Sequence, residues 1–175
     1  MKADDVKKLQ QKKYREELRH FLVEGEHLIL ELIKASATQA HLKQAQLFIT
    51  EQYQDWVNAH NSINLKVTVV GNKAMAQMSD TKSPQGIIAA VPFAPANDVK
   101  TRRAIYLHEV QDPGNLGTIL RTLGWFGDFR LLLSANSVDP YNPKVVRSSM
   151  GAIFHVPFEL DVELADVAQR FPRIA

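Results

Sequence analysis

In Leu107-His108-Glu109-Val110-Gln111-Asp112-Pro113-Gly114-Asn115-Leu116-Gly117-Thr118-Ile119-Leu120-Arg121-Thr122-Leu123-Gly124 a buried strand runs into a turn and then into a helix. Leu116, Ile119, Leu120 and Leu123 fall at i, i+3, i+4 and i+7, the spacing of one core-facing helical stripe. The opposite face then carries Gly117, Thr118, Arg121 and Thr122. Asp112-Pro113-Gly114 supplies turn chemistry, Asn115 is a favourable N-cap, and Gly124 suits the helix end. A strand's C-terminal end beside a helix N-terminus is where open α/β sheets bind ligands and where free backbone N–H groups meet anions. On this reading Gly117 leaves the backbone approachable, with Arg121 one turn further on. The same residues equally describe a surface loop whose asparagine only caps and whose arginine only meets solvent.

Outward from this stretch, apolar runs of strand length alternate with helical spacing. Before it, strands are predicted over 21–23, 46–50, 65–70 and 86–91, with helices over 24–35, 51–59 and 73–78. After the strand at 104–107 and the helix at 117–123 come a strand over 129–133, a short helix over 144–150, a strand over 153–156 and a helix over 162–171. The polar run 96–103 reads as a linker between a first unit, 1–95, and a second, 104–175. Strands alternating with helices predict an α/β protein of two small α/β units with largely parallel sheets, because a parallel connection needs a crossover element. The second unit holds only about three strands and stops at 174–175, just after a helix, which reads as an incomplete domain or, on the blander reading, as a complete three-stranded appendage.

Composition narrows the possibilities. The 175 residues are 45% hydrophobic and 23% charged, with 8 Gly and 8 Pro, enough apolar surface for a packed core and too little low-complexity character for disorder. With Cys at 0, disulfide scaffolds, thiolate catalysis and Cys-based zinc sites are excluded. The six histidines are scattered with no metal-ligand spacing, so no metal is expected. No apolar run reaches the roughly 20 residues of a membrane-spanning helix, and the charged opening 1–13 lacks a secretory signal's apolar block. A soluble protein of the cytoplasm is expected, with no membrane partner. A net charge of +2 is small for a protein that binds by blanket phosphate neutralisation.

Two further groups of residues bear on chemistry. Asn142-Pro143-Lys144-Val145-Val146-Arg147-Ser148-Ser149-Met150-Gly151-Ala152 reads as a short helix with Pro143 in its first turn and Gly151 ending it. Lys144 and Arg147 share a face that can hold a phosphate backbone, although a solvated helix using small residues for close packing has the same pattern. Near the start, Lys12, Lys13, Tyr14, Arg15 and Arg19, with His20, offer cations for phosphates and rings for splayed bases. Glu16 and Glu17 interrupt that run, as they do on many solvated helix faces. Glu24 and Glu26, flanking Gly25, open the next helix.

Asn115, Gly117 and Arg121, followed by Ser149-Met150-Gly151-Ala152, resemble the opening motifs of the SpoU-type RNA ribose 2′-O-methyltransferases of the SPOUT superfamily. Lys13-Tyr14-Arg15 leading to Phe21-Leu22-Val23-Glu24-Gly25-Glu26-His27, and Ser83-Pro84-Gln85-Gly86-Ile87, are similar to the opening and closing elements of that family's substrate domain. The resemblance implies a ribosomal-protein-like α/β/α sandwich followed by part of a SPOUT-like parallel sheet. It implies transfer of a methyl group from S-adenosylmethionine to a ribose 2′-hydroxyl of rRNA or tRNA, and a homodimer for the full-length protein. Arg121 and Asn115 are the implied catalytic residues. A guanidinium with a pKa above about 12 is a poor base, so Arg121 is better suited to stabilising a developing alkoxide, with Asn115 positioning groups around it. The family's Gly-x-Glu loop and its Pro-Met and Ser-Leu-Asn segments do not occur here, so the cofactor-binding residues are unassigned and the chain is expected to be a fragment with an incomplete donor pocket. A non-catalytic RNA-binding module is the alternative. A dinucleotide-dependent oxidoreductase is disfavoured because 114–124 does not have the G-x-G-x-x-G spacing.

Overall fold

The computed structural model describes residues 1–95, 101 and 103–171, so most of the 96–103 linker expectation lies outside the described residues. The first half runs α1 (Ala3–Lys8), α2 (Lys12–Leu18), β1 (His20–Glu24), α3 (Glu26–Ser36), a 3-10 turn at Ala40–Gln44, β2 (Gln46–Ile49), a 3-10 turn at Glu51–Tyr53, α4 (Gln54–His60), β3 (Lys66–Val69), α5 (Asn72–Met78) and β4 (Ile87–Pro92). The second half runs β5 (Arg103–Leu107), α6 (Pro113–Phe126), β6 (Phe129–Leu133), α7 (Pro143–Ser148), a 3-10 turn at Ala152–Phe154, β7 (Phe158–Glu159) and α8 (Leu164–Arg170).

The four strands of the first half lie in the order β1-β4-β2-β3. β4 enters between β1 and β2, antiparallel to both, and only β2 and β3 are parallel. The largely parallel expectation is therefore corrected for this sheet. Strand periodicity sorts its side chains cleanly. Leu22, Phe48, Ile88 and Ala90 meet Val6 of α1, Leu9 just after it, and Met75 and Met78 of α5 on one face. Phe21, Val23, Leu47, Ile49, Ile87, Ala89 and Val91 meet α3 and α4 on the other. The result is the expected α/β/α sandwich.

The second sheet, β5-β6-β7, is parallel throughout. Its third strand is Phe158–Glu159 rather than 153–156. Ile153 and Phe154 instead pack as a 3-10 turn into the shared core. Leu116, Leu120 and Leu123 of α6 and Val145 and Val146 of α7 join that core, which is continuous with the α3 face of the first sheet. The two halves thus bury one apolar interior between them. α8, through Val167, and Val162 just ahead of it cover the far face against Leu132. Among the described residues no helix is long and apolar enough to cross a membrane.

Candidate functional site

α6 starts earlier and ends later than its apolar stripe implied. Pro113 opens it, and its N-cap is Asp112, whose Oδ1 accepts the Asn115 backbone N–H at 2.7 Å. Asn115 is therefore inside the first turn, not the cap. Gly124 is inside the helix too, and Gly127 ends it. Gly117 is also displaced from its expected role, because it is buried against α7. A Cβ built there would overlap the Ser148 side chain and stand 2.9 Å from the Val145 carbonyl oxygen. The glycine allows two helices to meet; it does not expose backbone to a ligand.

Asn115 and Arg121 both lie on the exposed side of α6. Six helical positions set them about 9 Å apart along the axis and about a third of a turn around it, so their side chains do not converge on one point. The Arg121 guanidinium has no ion-pair or hydrogen-bond partner among the described residues. It stands on the stripe between Gly117 and Gly124, and Gly124 faces Ala152, with Cβ to Cβ 3.1 Å if an alanine stood there. Arg121 therefore emerges alongside the turn 149–151. In that turn Met150 has a left-handed backbone, φ 51°, and is 44% exposed.

The basic residues divide. Lys12 and Lys13 are exposed on α2, Lys12 beside Glu16 at 3.7 Å and Lys13 over the Tyr14 ring at 5.7 Å. Arg19 is exposed and lies over Phe93 at 4.8 Å. Lys144 is exposed on α7, and Arg147 pairs with Asp80 of the first half at 3.0 Å. Arg15 is the correction. It is 2% exposed, donates through Nε and Nη2 to Asp139 Oδ2 at 3.0 and 2.6 Å, and through Nη1 to the Leu9 and Gln10 carbonyls. It has no face left for RNA. Nothing in its type or spacing distinguished it from its exposed neighbours; only the partner 124 residues away does.

Sequence reasoning also missed the seam between the halves. Phe93 stacks on Tyr141 with centroids 4.0 Å apart, Tyr141 meets Phe21 at 4.6 Å and Phe158 at 5.2 Å, and burial pushes the Tyr141 hydroxyl up to about 12. Nearby, Glu159 accepts from Arg170 at 2.7 and 2.8 Å and from Arg130. The hydrogen bond from Arg170 chiefly holds its carboxyl down, from 4.5 to about 2, with Arg130 adding and burial opposing. A depressed folded-state pKa means stability present above the unfolded value and lost as pH falls through the folded one. Thermal melts should therefore show wild type losing its advantage over Glu159→Gln as pH drops from about 4.5 to 2. A gap independent of pH would contradict this.

The described residues thus place a sandwich domain ahead of a parallel strand-helix sheet whose first helix carries the exposed Arg121. Residues 2–89 match the MRM3-like substrate binding domain, and residues 102–173 match the SpoU rRNA Methylase family. The chain belongs to the family with the MRM3-like substrate binding domain, and its second half matches the SpoU methylase domain. It is 32% identical over 157 residues to the 23S rRNA (guanosine(2553)-2'-O)-methyltransferase RlmP of Bacillus subtilis (strain 168), covering 89% of this chain and 60% of that protein. It is 33% identical over 170 residues to the mitochondrial rRNA methyltransferase 3 of Mus musculus, covering 91% and 39%. Among solved structures, a putative RNA methyltransferase of the TrmH family from Porphyromonas gingivalis superposes with TM-score 0.80 at 29% identity, covering 98% of this chain and 66% of that one. The AdoMet-bound rRNA methyltransferase of Sinorhizobium meliloti gives 0.74 at 26%, covering 95% and 63%. The chain spans 60% and 39% of the length of these two curated relatives.

S-adenosylmethionine binds family members, and the residues described here do not fit it as a finished cradle. At the C-terminal edge of the second sheet, Ser134 Oγ takes the Glu109 N–H at 2.8 Å and Glu109 takes the Asn136 amide at 3.2 Å. Among the described residues no buried side-chain N or O lacks a partner. The space beside Gly117 and Gly124 is filled by the chain itself.

Proposed function

We propose that this chain is the RNA-holding part of a ribose 2′-O-methyltransferase acting on rRNA or tRNA in the cytoplasm. Residues 1–95 grip the RNA, and residues 104–175 carry the groups that act at the ribose. The observation that carries this reading is Arg121, an exposed, unpaired cation on the family's motif helix. Its fixed charge stabilises oxyanion character at the 2′-oxygen or fixes the adjacent phosphate. Asn115, a helical turn and a half away, offers both a donor and an acceptor for orienting the same nucleotide. Lys12, Lys13, Arg19, Lys144 and Arg147 neutralise phosphates, and Tyr14 offers a ring for an unpaired base.

Deleting the gene for this chain should remove a 2′-O-methylated ribose from rRNA or tRNA, mapped as a lost position of resistance to alkaline cleavage. Complementation with Arg121→Ala should restore little, since loss of one charge-stabilising donor costs about 10²–10³ in rate. An unchanged methylation map overturns the reading. A map unchanged while salt-dependent RNA binding survives Arg121→Ala and Asn115→Ala favours the non-catalytic module.

A homodimer belongs to the same proposal. Trp125 is 87% and Phe126 71% exposed at the end of α6, a large apolar surface that a second copy would cover. Sedimentation of wild type against Trp125→Glu reads the oligomeric state directly.

A further inference from the structure

We infer that Asp139, in the second half, is a positioning residue for RNA binding, an inference that rests on the RNA-methyltransferase reading. Through Arg15 it holds α2 in helical form, so the grip assigned above to residues 1–95 is built by both halves. α2 has little of its own to hold it. It is seven residues long, and its N-cap, Gln11, makes no side-chain capping bond. Isolated helices shorter than about 12–15 residues are marginal in water. Its first turn holds no acidic residue but carries Lys12 and Lys13, whose charges oppose the positive end of the helix dipole. Lys12 lies 3.7 Å from Glu16, an exposed pair with the cation on the N-terminal side, which is the weaker orientation. Leu18 adds a partly buried contact with the face of α1 and α5. The one fully buried residue of α2 is a charged one, Arg15.

That side chain is satisfied from outside the first half. Arg15 spends Nε and Nη2 on Asp139 Oδ2 and Nη1 on the carbonyls of Leu9 and Gln10, so one guanidinium joins the helix, the turn ahead of it and the loop before α7. Asp139 uses both its oxygens, because Oδ1 accepts the Tyr141 N–H at 2.9 Å. A second tie lies two residues on. The guanidinium of Arg19, the left-handed C-cap of α2, lies over Phe93, and Phe93 stacks on Tyr141. The loop 139–141 therefore holds α2 at its middle and at its end. It also leads into the cap of α7, where the Asp139 carbonyl accepts the Asn142 N–H and Asn142 Oδ1 accepts the Lys144 N–H, each at 2.9 Å. Two sets of cations assigned to phosphates, Lys12 with Lys13 and Lys144, thus take their places from one aspartate.

The test compares the 175-residue protein with its Asp139→Asn and Arg15→Lys variants at a temperature where melting curves show each of them folded. An amide supplies one oxygen where this carboxylate uses two, so asparagine must give up either Arg15 or the Tyr141 N–H. In Asp139→Asn the backbone order parameters of α2 should fall from about 0.85 to below about 0.6, while β2 and β4 stay rigid. Affinity for a single-stranded uridine dodecamer should fall about fivefold or more. Arg15→Lys, which keeps the charge without the fork, should fall between, and it carries the comparison should Asp139→Asn not fold. A merely structural pair would lower the melting temperature and leave both readouts of the folded protein unchanged, which overturns the proposal. Loosening of α2 without loss of affinity, or loss of affinity with α2 still rigid, overturns it too. In the double variant Lys12→Ala with Lys13→Ala, affinity lost there but kept in Asp139→Asn sinks the positioning role alone, whereas affinity kept in the lysine variant sinks the RNA grip of α2 beneath it.

Discussion

Arg15→Ala should destabilise the chain by about 3–5 kcal/mol, because it leaves a carboxylate buried without its partner. The Arg15 and Asp139 side chains are 3% and 11% exposed. The lost guanidinium also strands the carbonyls of Leu9 and Gln10. Asp139 is anchored on its other oxygen by the Tyr141 N–H at 2.9 Å, so it cannot swing out to water without disturbing the loop into α7. Arg15→Lys keeps the charge but not the planar fork and should fall between wild type and alanine. Denaturant unfolding measures all three. A midpoint shift worth less than about 1 kcal/mol for Arg15→Ala would mean the pair is a surface contact after all.

Gly117→Ala is the second large effect expected, and its sign runs against helix propensity. In a helix interior, alanine for glycine gains about 0.5–1 kcal/mol. Here the new Cβ meets the Ser148 side chain and stands 2.9 and 3.0 Å from backbone atoms of Val145 and Ser148, which cannot rotate away. Overpacking of this kind costs about 1–3 kcal/mol, so the net is a loss. Forcing α6 from α7 also moves the base of Arg121 against the turn 149–151, so RNA methylation should fall further than stability alone explains. Gly124→Ala meets the Ala152 Cβ at 3.1 Å and otherwise only ordinary contacts with Val156 and the Ala152 Cα at 3.7 and 3.8 Å, and should be close to neutral. Equal stability of the Gly117 and Gly124 variants in a thermal melt would refute the packing role.

Local pattern carried most of the secondary structure. α3 and α6 announced themselves through leucines and isoleucines at helical spacing, and β2, β4 and β6 through short apolar runs. α1 and α2 were illegible because they are charged on most faces and bury only Val6 and Arg15. The apolar run at 153–156 has no period that separates strand from turn, and tertiary packing chose the turn. Strand direction in the first sheet was hidden for another reason: alternation of elements says that a crossover exists, not that β4 inserts antiparallel between β1 and β2. At the candidate site, Arg121 and Asn115 were found as residues, but the roles of their neighbours were not. Gly117 seemed an opening for a ligand and is a contact between helices, and Arg15 seemed a phosphate ligand and is an internal strut. In each case a distant partner sets the role.

The stacked rings of Phe93 and Tyr141 make the molecule a ruler. They tie the end of β4 to the approach to α7, and among the described residues the core shared by the two halves beneath them holds the RNA grip and the Arg121 surface at one spacing. On the proposed function, the nucleotide chosen is then whichever one lies a set distance along the RNA from where it is grasped, and insertions in the RNA between those points would shift the mark instead of merely weakening the hold.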